Sequence, residues 1–290
     1  MPLTFDFSPS ALAEVAEADV TRALAEDVGS GDLTASLVDP TRRTRARVVA
    51  REAAVVCGGP WVEAAVLRCD PTAKLAWHVP EGGRCTPDQV VLEITGQAQA
   101  LLTAERTALN FLQLLSGVAT KTAQYVDLVQ GTKAHIVDTR KTLPGLRLAQ
   151  KYAVRAGGGT NHRVGLYDAI LIKENHIAAA GGIPQVMAQA AHLAERADFV
   201  EIEVETLAQL KEALACGARM VLLDNMDLAT LHAAVKCNAG RAVLEISGGV
   251  TLDGLRDLAL TGVDRISIGT LTKDVRATDY SMRFDTFAAA

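Results

Sequence analysis

At 290 residues the chain is long enough for one large barrel, or for a barrel with a small second domain. Its net charge of −5 and aromatic content of 4% argue against a phosphate-tracking nucleic-acid surface and against base-stacking platforms. No apolar run reaches membrane-spanning length, the first residues lack a basic-then-apolar leader, and the scattered Cys57, Cys69, Cys85, Cys216 and Cys237 form no C-x-x-C pair, so a cytoplasmic protein with reduced thiols is expected.

The amino-terminal part predicts a helix over 9–26. Strands follow over 46–57, 75–79 and 90–96, with turn residues at Pro80-Glu81-Gly82-Gly83. Alternation and turn chemistry point to antiparallel pairing in a small α+β domain. A long helical pattern over 101–129, expected to break near Ser116-Gly117, leads into the second part.

From there the rhythm changes. Short apolar runs at 134–137, 169–172, 199–204, 220–223, 242–246 and 265–268 alternate with helical stretches at 146–155, 184–196, 207–215, 228–235 and 252–260. Gly217, Gly240 and Gly262 stand where helix C-caps are expected. Val/Ile/Leu runs each followed by an amphipathic helix indicate parallel strands buried on both faces. The runs close on polar or small residues: Asp138-Thr139-Arg140, Lys173, Glu203, Asp224, Ser247 and Gly269. Such residues converge on one mouth in a β/α barrel, whereas an open sheet would spread them along an edge, so the barrel is preferred.

Residues 133–176 carry eight Lys or Arg against three Asp or Glu, inside an acidic chain. This cationic island suits a small polyanionic ligand better than it suits solubility. Arg140 offers a planar fork for a carboxylate and Lys141 a point charge for phosphate, on a loop shaped by Thr142-Leu143-Pro144-Gly145. Gly157-Gly158-Gly159 would let backbone approach a ligand closely, and Asn161-His162-Arg163 follows with donors. Lys173 ends an apolar strand and must point into the mouth, because a lysine buried without partners is very costly. Glu203 and Asp224 can hold Mg²⁺ together with substrate phosphate oxygens, or accept hydrogen bonds from ribose hydroxyls. Glu201 shares a strand face with Glu203, and the sequence does not separate them. Ser247-Gly248-Gly249 and Ile268-Gly269-Thr270 fall where barrels bind phosphate. Neither an H-E-x-x-H nor a G-x-S-x-G motif is present.

These blocks resemble the quinolinate phosphoribosyltransferase family. The resemblance rests on Glu105–Asn110, Asp138–Thr142, Gly157–Arg163, Leu171–His176, Glu201–Glu205, Leu223–Met226, Ser247–Gly249 and Ser267–Gly269, with Glu26-Asp27 and Gly31–Thr34 near the start. It implies an incomplete, seven-stranded β/α barrel over 118–274. It also implies an N-terminal α/β sandwich over 1–117, with 275–290 packing back on the sandwich. It further implies a homodimer in which Arg106 reaches the neighbouring subunit's site. On this resemblance Arg140, His162, Arg163 and Lys173 bind the carboxylates of quinolinate. Thr139, Lys141, Glu203, Asp224, Ser247, Gly248, Gly249, Ile268, Gly269 and Thr270 line the side for phosphoribosyl pyrophosphate and Mg²⁺. Lys141, Glu203 and Asp224 are the implied catalytic residues, and the implied reaction yields nicotinate mononucleotide, pyrophosphate and CO₂ in NAD biosynthesis. Two other readings compete: a Schiff-base aldolase using Lys173, and a related protein of molybdenum metabolism with the same fold.

Overall fold

The computed structural model describes residues 5–285. Expectations that fall on residues 1–4, and on 286–290 within the 275–290 tail, lie outside the described residues. In chain order the elements are α1 (Pro9–Val28), β1 (Arg43–Ala50), β2 (Ala54–Val55), α2 (Gly59–Cys69), β3 (Lys74–Trp77), β4 (Arg84–Cys85), β5 (Val90–Gln97), α3 (Ala98–Val129), β6 (His135–Val137), α4 (Arg147–Ala156) and β7 (Ile170–Ile172). They continue as α5 (Glu174–Ala180), α6 (Ile183–Leu193), β8 (Val200–Val204), α7 (Leu207–Ala215), β9 (Met220–Asp224), α8 (Leu228–Asn238), β10 (Val243–Ser247), α9 (Leu255–Leu260), β11 (Arg265–Ser267), α10 (Thr270–Lys273) and β12 (Tyr280–Phe284).

One compact unit gathers Phe7–Ala123, Leu143–Gly158 and the chain from Asp274 onward. Its antiparallel sheet has the order β12-β1-β5-β3. β1 alternates exposed and buried residues over its first half, as a half-buried strand should. Tyr280–Phe284 completes the sheet against β1, Val48 facing Met282. The single strand expected over 46–57 is two strands. Pairing of β1 with β5 shifts at Val48/Val49, and Ala54–Val55 pairs with β4 instead. Helix α1 starts at Pro9, whose fixed φ suits the first turn, behind a Ser8 cap that accepts from the Ala11 N–H at 3.5 Å.

The break expected at Ser116-Gly117 does not occur, and α3 is one continuous helix of 32 residues. Both residues are there for packing. Ser116 Oγ accepts from the Cys57 N–H at 3.0 Å and donates to the Cys57 carbonyl at 3.1 Å. A β-carbon on Gly117 would stand 2.3 Å from the Arg276 carbonyl oxygen. Small-residue punctuation and close helix contact look alike in sequence.

The other unit gathers Gln124–Thr142 and Gly159–Lys273. Its sheet has the order β6-β11-β10-β9-β8-β7, with every pairing parallel. Helices intervene between successive strands, as parallel crossovers require. α7 begins at Thr206, which accepts from the Gln209 N–H at 3.2 Å, and is followed by Gly217 at φ +84°, the left-handed residue a C-terminal cap needs. The expected helix over 252–260 starts only at Leu255, because Gly254 takes φ +76°. Helix α5, directly after Lys173, was not anticipated.

The described residues give six strands in this sheet rather than seven, and its end strands β6 and β7 are not paired with each other. The missing place beside β6 is held by a single parallel bridge, Val137 with Thr160. Thr160 donates to Ile136 O at 2.8 Å, and its carbonyl accepts from the Asp138 N–H at 3.1 Å. The segment then leaves strand geometry to deliver Asn161-His162-Arg163, so it never lengthens into a strand.

Gly117→Ala is expected to lower stability by about 1–3 kcal/mol, the usual range for overpacking, where a glycine-to-alanine change inside a helix ordinarily raises it. Thermal melting checks this: an unchanged or higher melting temperature would show that the Arg276 backbone yields freely.

Candidate active site

The parallel strands carry their polar residues to one end, where Thr139, Arg140, Lys141, His162, Arg163, Leu171, Lys173, Glu203, Leu222, Glu245, Ser247 and Ser267 line a cavity of about 170 Å³. That is below the roughly 300–1,000 Å³ of sites for drug-sized ligands, so it suits a compact one. In the other unit, a groove of about 1080 Å³ between α1 and α2 is larger. Its lining is mainly apolar with Glu14, Glu17 and Glu63 beside Arg68, and Arg68 is paired with Glu17. It gathers no set of convergent cations, so size does not mark the chemistry.

Asp138 organises the loop that supplies two of these residues. Fully buried at the end of β6, it accepts from Asn161 Nδ2 at 2.7 Å and from the His162 N–H at 2.8 Å. Asp168, also buried, accepts from the Val164 and Gly165 N–H groups at 2.6 and 2.9 Å. Between these two clamps Arg163 donates to the Ala169 carbonyl at 3.2 Å. Burial and the nearby Arg140 guanidinium lower the Arg163 pKa. Two cations held this close want an anion between them. The glycines before the loop serve backbone packing. A β-carbon on Gly157 would lie 2.4 Å from the Ala119 carbonyl oxygen, and Gly158 takes φ +84°.

On the far wall Lys173 and Glu203 form an ion pair at 2.6 Å. Burial pushes the Glu203 carboxyl up, the Lys173 ammonium pulls it down, and the Asp224 carboxylate pushes it up again. Asp224 ends β9 and accepts from Asn225 Nδ2 at 2.9 Å. Gly248, at φ +104°, has no room for a β-carbon beside the Asn225 side chain. Ser247 stands opposite Asp224 in the register of β10 and β9. Gly269 lies against Lys141, whose Cδ would be 3.0 Å from a β-carbon there. The Thr139 hydroxyl accepts from the Lys141 N–H at 3.1 Å. Thr139, Arg140, Lys141, His162, Arg163, Lys173, Glu203 and Ser247 therefore line the cavity. Asp224, Gly248, Gly249, Ile268, Gly269 and Thr270 occupy neighbouring strand ends without lining it. Arg106 is exposed on α3 and is not among the lining residues.

The choice between Glu201 and Glu203 is one of depth. Both point inward from β8; Glu203 reaches the cavity, while Glu201 is fully buried and accepts from His162 Nε2 at 2.8 Å.

The comparisons with known proteins agree with this geometry. The family model of the quinolinate phosphoribosyl transferase C-terminal domain matches residues 118–283, and that of its N-terminal domain matches 32–116. The chain belongs to the quinolinate phosphoribosyltransferase family. It is 41% identical over 279 residues to the nicotinate-nucleotide pyrophosphorylase (carboxylating) of Mycobacterium leprae, covering 93% of this chain and 97% of the relative. It is 41% identical over 257 residues to the probable enzyme of that name from Bacillus subtilis, covering 89% of each. Among solved structures, the nicotinate-nucleotide pyrophosphorylase from Francisella tularensis superposes with a TM-score of 0.92 at 40% identity, covering 97% of this chain and 99% of that one. No helix among the described residues is long and apolar enough to cross a membrane.

Sequence reasoning gave no site role to four of the lining residues: Leu171, Leu222, Ser267 and, above all, Glu245. Glu245 is fully buried and lines the cavity, and Arg265 Nε donates to its Oε2 at 2.8 Å. The signal was present as a lone Glu inside the apolar run Val243-Leu244-Glu245-Ile246. A charge in such a run is either paired or functional.

Burial raises the carboxyls of both Glu201 and Glu245 to about 7, with the Arg265 guanidinium opposing it in each case. The folded protein therefore takes up protons between about pH 4.5 and 7 that the unfolded chain does not bind. Stability from these groups is fully present below about 4.5 and is lost as pH rises through about 7. Carboxylates with lowered pKa, such as Asp227 and Asp285, act at lower pH. Glu245→Gln is expected to flatten the fall in melting temperature from about pH 5 to 8; an unaltered profile would place the titration elsewhere.

Proposed function

We propose that this chain transfers phosphoribosyl from phosphoribosyl pyrophosphate to quinolinate with loss of CO₂, giving nicotinate mononucleotide and pyrophosphate in NAD biosynthesis in the cytoplasm. The observation that carries this reading is the convergence of Arg140, Lys141, Arg163 and Lys173 on one cavity sized for a compact polyanion. The names of the relatives support it. Arg140, Arg163 and Lys173 take the two carboxylates, with His162 at their base. Lys141, beside Gly269 and Ser247, faces the phosphate side. A second copy of the chain supplies Arg106 to complete the cage, as a homodimer.

Glu203 and Asp224 fit a divalent cation. Glu203 is the penultimate residue of β8 and Asp224 the last of the adjacent β9, and the Asp224 charge raises the Glu203 pKa, as two carboxylates sharing a small region do. Mg²⁺ bound there supplies charge neutralisation for the pyrophosphate. The protein's own part is positioning. The arginines hold the pyridine nitrogen in line with ribose C1. Lys141 stabilises charge on the departing pyrophosphate oxygen, and Glu203 faces the cation-like ribose. As the bond from the nitrogen to C1 forms, the C1–oxygen bond breaks and pyrophosphate leaves with the electron pair. The pyridinium then accepts the pair released when the 2-carboxylate leaves as CO₂, and a proton from water replaces it. The substrate is its own electron sink.

An aldolase reading of Lys173 fares worse. Schiff-base chemistry needs a neutral amine, whereas Lys173 stands in a 2.6 Å ion pair with Glu203. The family match over both halves of the chain favours the transferase over a relative of molybdenum metabolism.

Incubation with quinolinate, phosphoribosyl pyrophosphate and Mg²⁺ is expected to release CO₂ and nicotinate mononucleotide, and nicotinate in place of quinolinate is expected to fail. Turnover of nicotinate alone would refute the reading. Arg140→Ala should raise the quinolinate KM by roughly 10- to 100-fold, whereas Lys141→Ala should lower kcat by a similar factor with quinolinate binding kept. The reverse pattern in steady-state kinetics would overturn this assignment.

A further inference from the structure

Beneath the cavity the parallel sheet encloses a polar layer that the substrate contacts do not explain. His162 is 7% exposed, and Glu201 and Glu245 are 0% exposed. The hydrogen bonds fix the state of the imidazole. His162 Nδ1 accepts from the backbone N–H of Arg163 at 2.8 Å. A ring nitrogen that accepts carries no proton, so in the neutral ring Nε2 bears it. Nε2 is 2.8 Å from Glu201 Oε2 and 3.7 Å from Glu245 Oε1, so its proton goes to Glu201. Phe199 meets the ring edge-on, with centroids 5.3 Å apart and an interplanar angle of 81°, which leaves the imidazole little freedom to rotate.

A cation is the other way to read this layer, because one ligand atom from each of His162, Glu201 and Glu245 lies within 4.8 Å of the others. The tautomer speaks against it. The Nε2 lone pair is committed to a proton, and Nδ1 is engaged by the Arg163 backbone. The charge opposing Glu245 is already supplied by Arg265 at 2.8 Å. The geometry also shows where the bond network leads. From Glu201 it passes through the imidazole to the backbone of Arg163, whose guanidinium lines the cavity.

We propose that Glu201 is a positioning residue: by holding His162 in the Nε2–H tautomer it fixes the Arg163 backbone and so aims the Arg163 guanidinium at the ligand's carboxylates. Glu245, braced by Arg265, closes the other side of the imidazole and keeps its Nε2–H on Glu201. The proposal rests on the cavity being the quinolinate site. Carboxylate–imidazole pairs of this kind set tautomer and ring orientation in other proteins too.

The test compares Glu201→Leu, which removes the acceptor, with Glu201→Gln, which keeps one for the Nε2–H. Glu201→Leu is expected to raise the quinolinate KM about tenfold or more, with the KM for phosphoribosyl pyrophosphate little changed. Its melting temperature is expected to fall, because removing one partner of a buried pair leaves the Nε2–H without an acceptor, so the test lies in the split between the two KM values. Glu201→Gln should restore the quinolinate KM to near the wild-type value. A parallel rise in both KM values, or equal effects of Leu and Gln on the quinolinate KM, would each overturn the proposal in favour of a merely structural role. Nitrogen NMR of the wild-type imidazole gives a reading free of activity: the Nε2–H tautomer is expected, and an Nδ1–H tautomer or an imidazolium would refute the link. If the wild type does not turn over quinolinate at all, the functional reading fails, and the nitrogen spectrum alone decides whether Glu201 sets the tautomer.

Discussion

Glu201 and Glu245 sit wholly inside a parallel sheet, where an ionised carboxylate left without neutralisation costs several kcal/mol. The rest of the candidate site is built around meeting that cost. Arg265 comes from the adjacent strand to Glu245. His162 comes from a loop to Glu201. Bringing His162 there requires the Thr160 bridge and the buried Asp138, which together tether the loop beside β6. The lone bridge beside β6 thus follows from the same requirement: a full strand there would keep its backbone in the ladder and could not present His162 and Arg163 in succession.

Above this layer the charge balance reverses. The cavity mouth carries Arg140, Lys141, Arg163 and Lys173, opposed by Glu203 on the wall. Burial first, and then the neighbouring Arg140 guanidinium, lower the Arg163 pKa, and an anion placed between the two cations would offset both. The small residues at the adjoining strand ends make room for side chains instead: Gly248 admits Asn225 and Gly269 admits Lys141.

Much of this was legible in the sequence because the relevant physics is local. A charged residue at the end of an apolar strand must point to the mouth, which marked Lys173 and Glu203, both of which line the cavity. Adjacent cations cannot both enter a core, which marked Arg140 and Lys141. The errors have physical causes as well. Ser116-Gly117 read as a helix break because glycine weakens helices, yet the residue is small to admit the Arg276 backbone. Gly157-Gly158 read as a cradle for ligand, while the Ala119 carbonyl already occupies that approach. His162 lines the cavity as expected, and what the sequence did not show is that both its ring nitrogens are engaged inside the protein.

The sequence by itself determined the kinds and order of elements, the parallel character of the second unit and the residues at its strand ends, since each follows from periodicity and from the cost of burying a charge. Tertiary structure alone decided depth. Period two places Glu201 and Glu203 on one face of β8, but which of them lines the cavity and which is fully buried depends on the stagger between β8 and its neighbours. That register is a relation among segments far apart in the chain, and no local pattern encodes it. The same holds for Glu245 and Arg265. Each is a lone charge in its own strand, and only the pairing of β10 with β11 makes them partners.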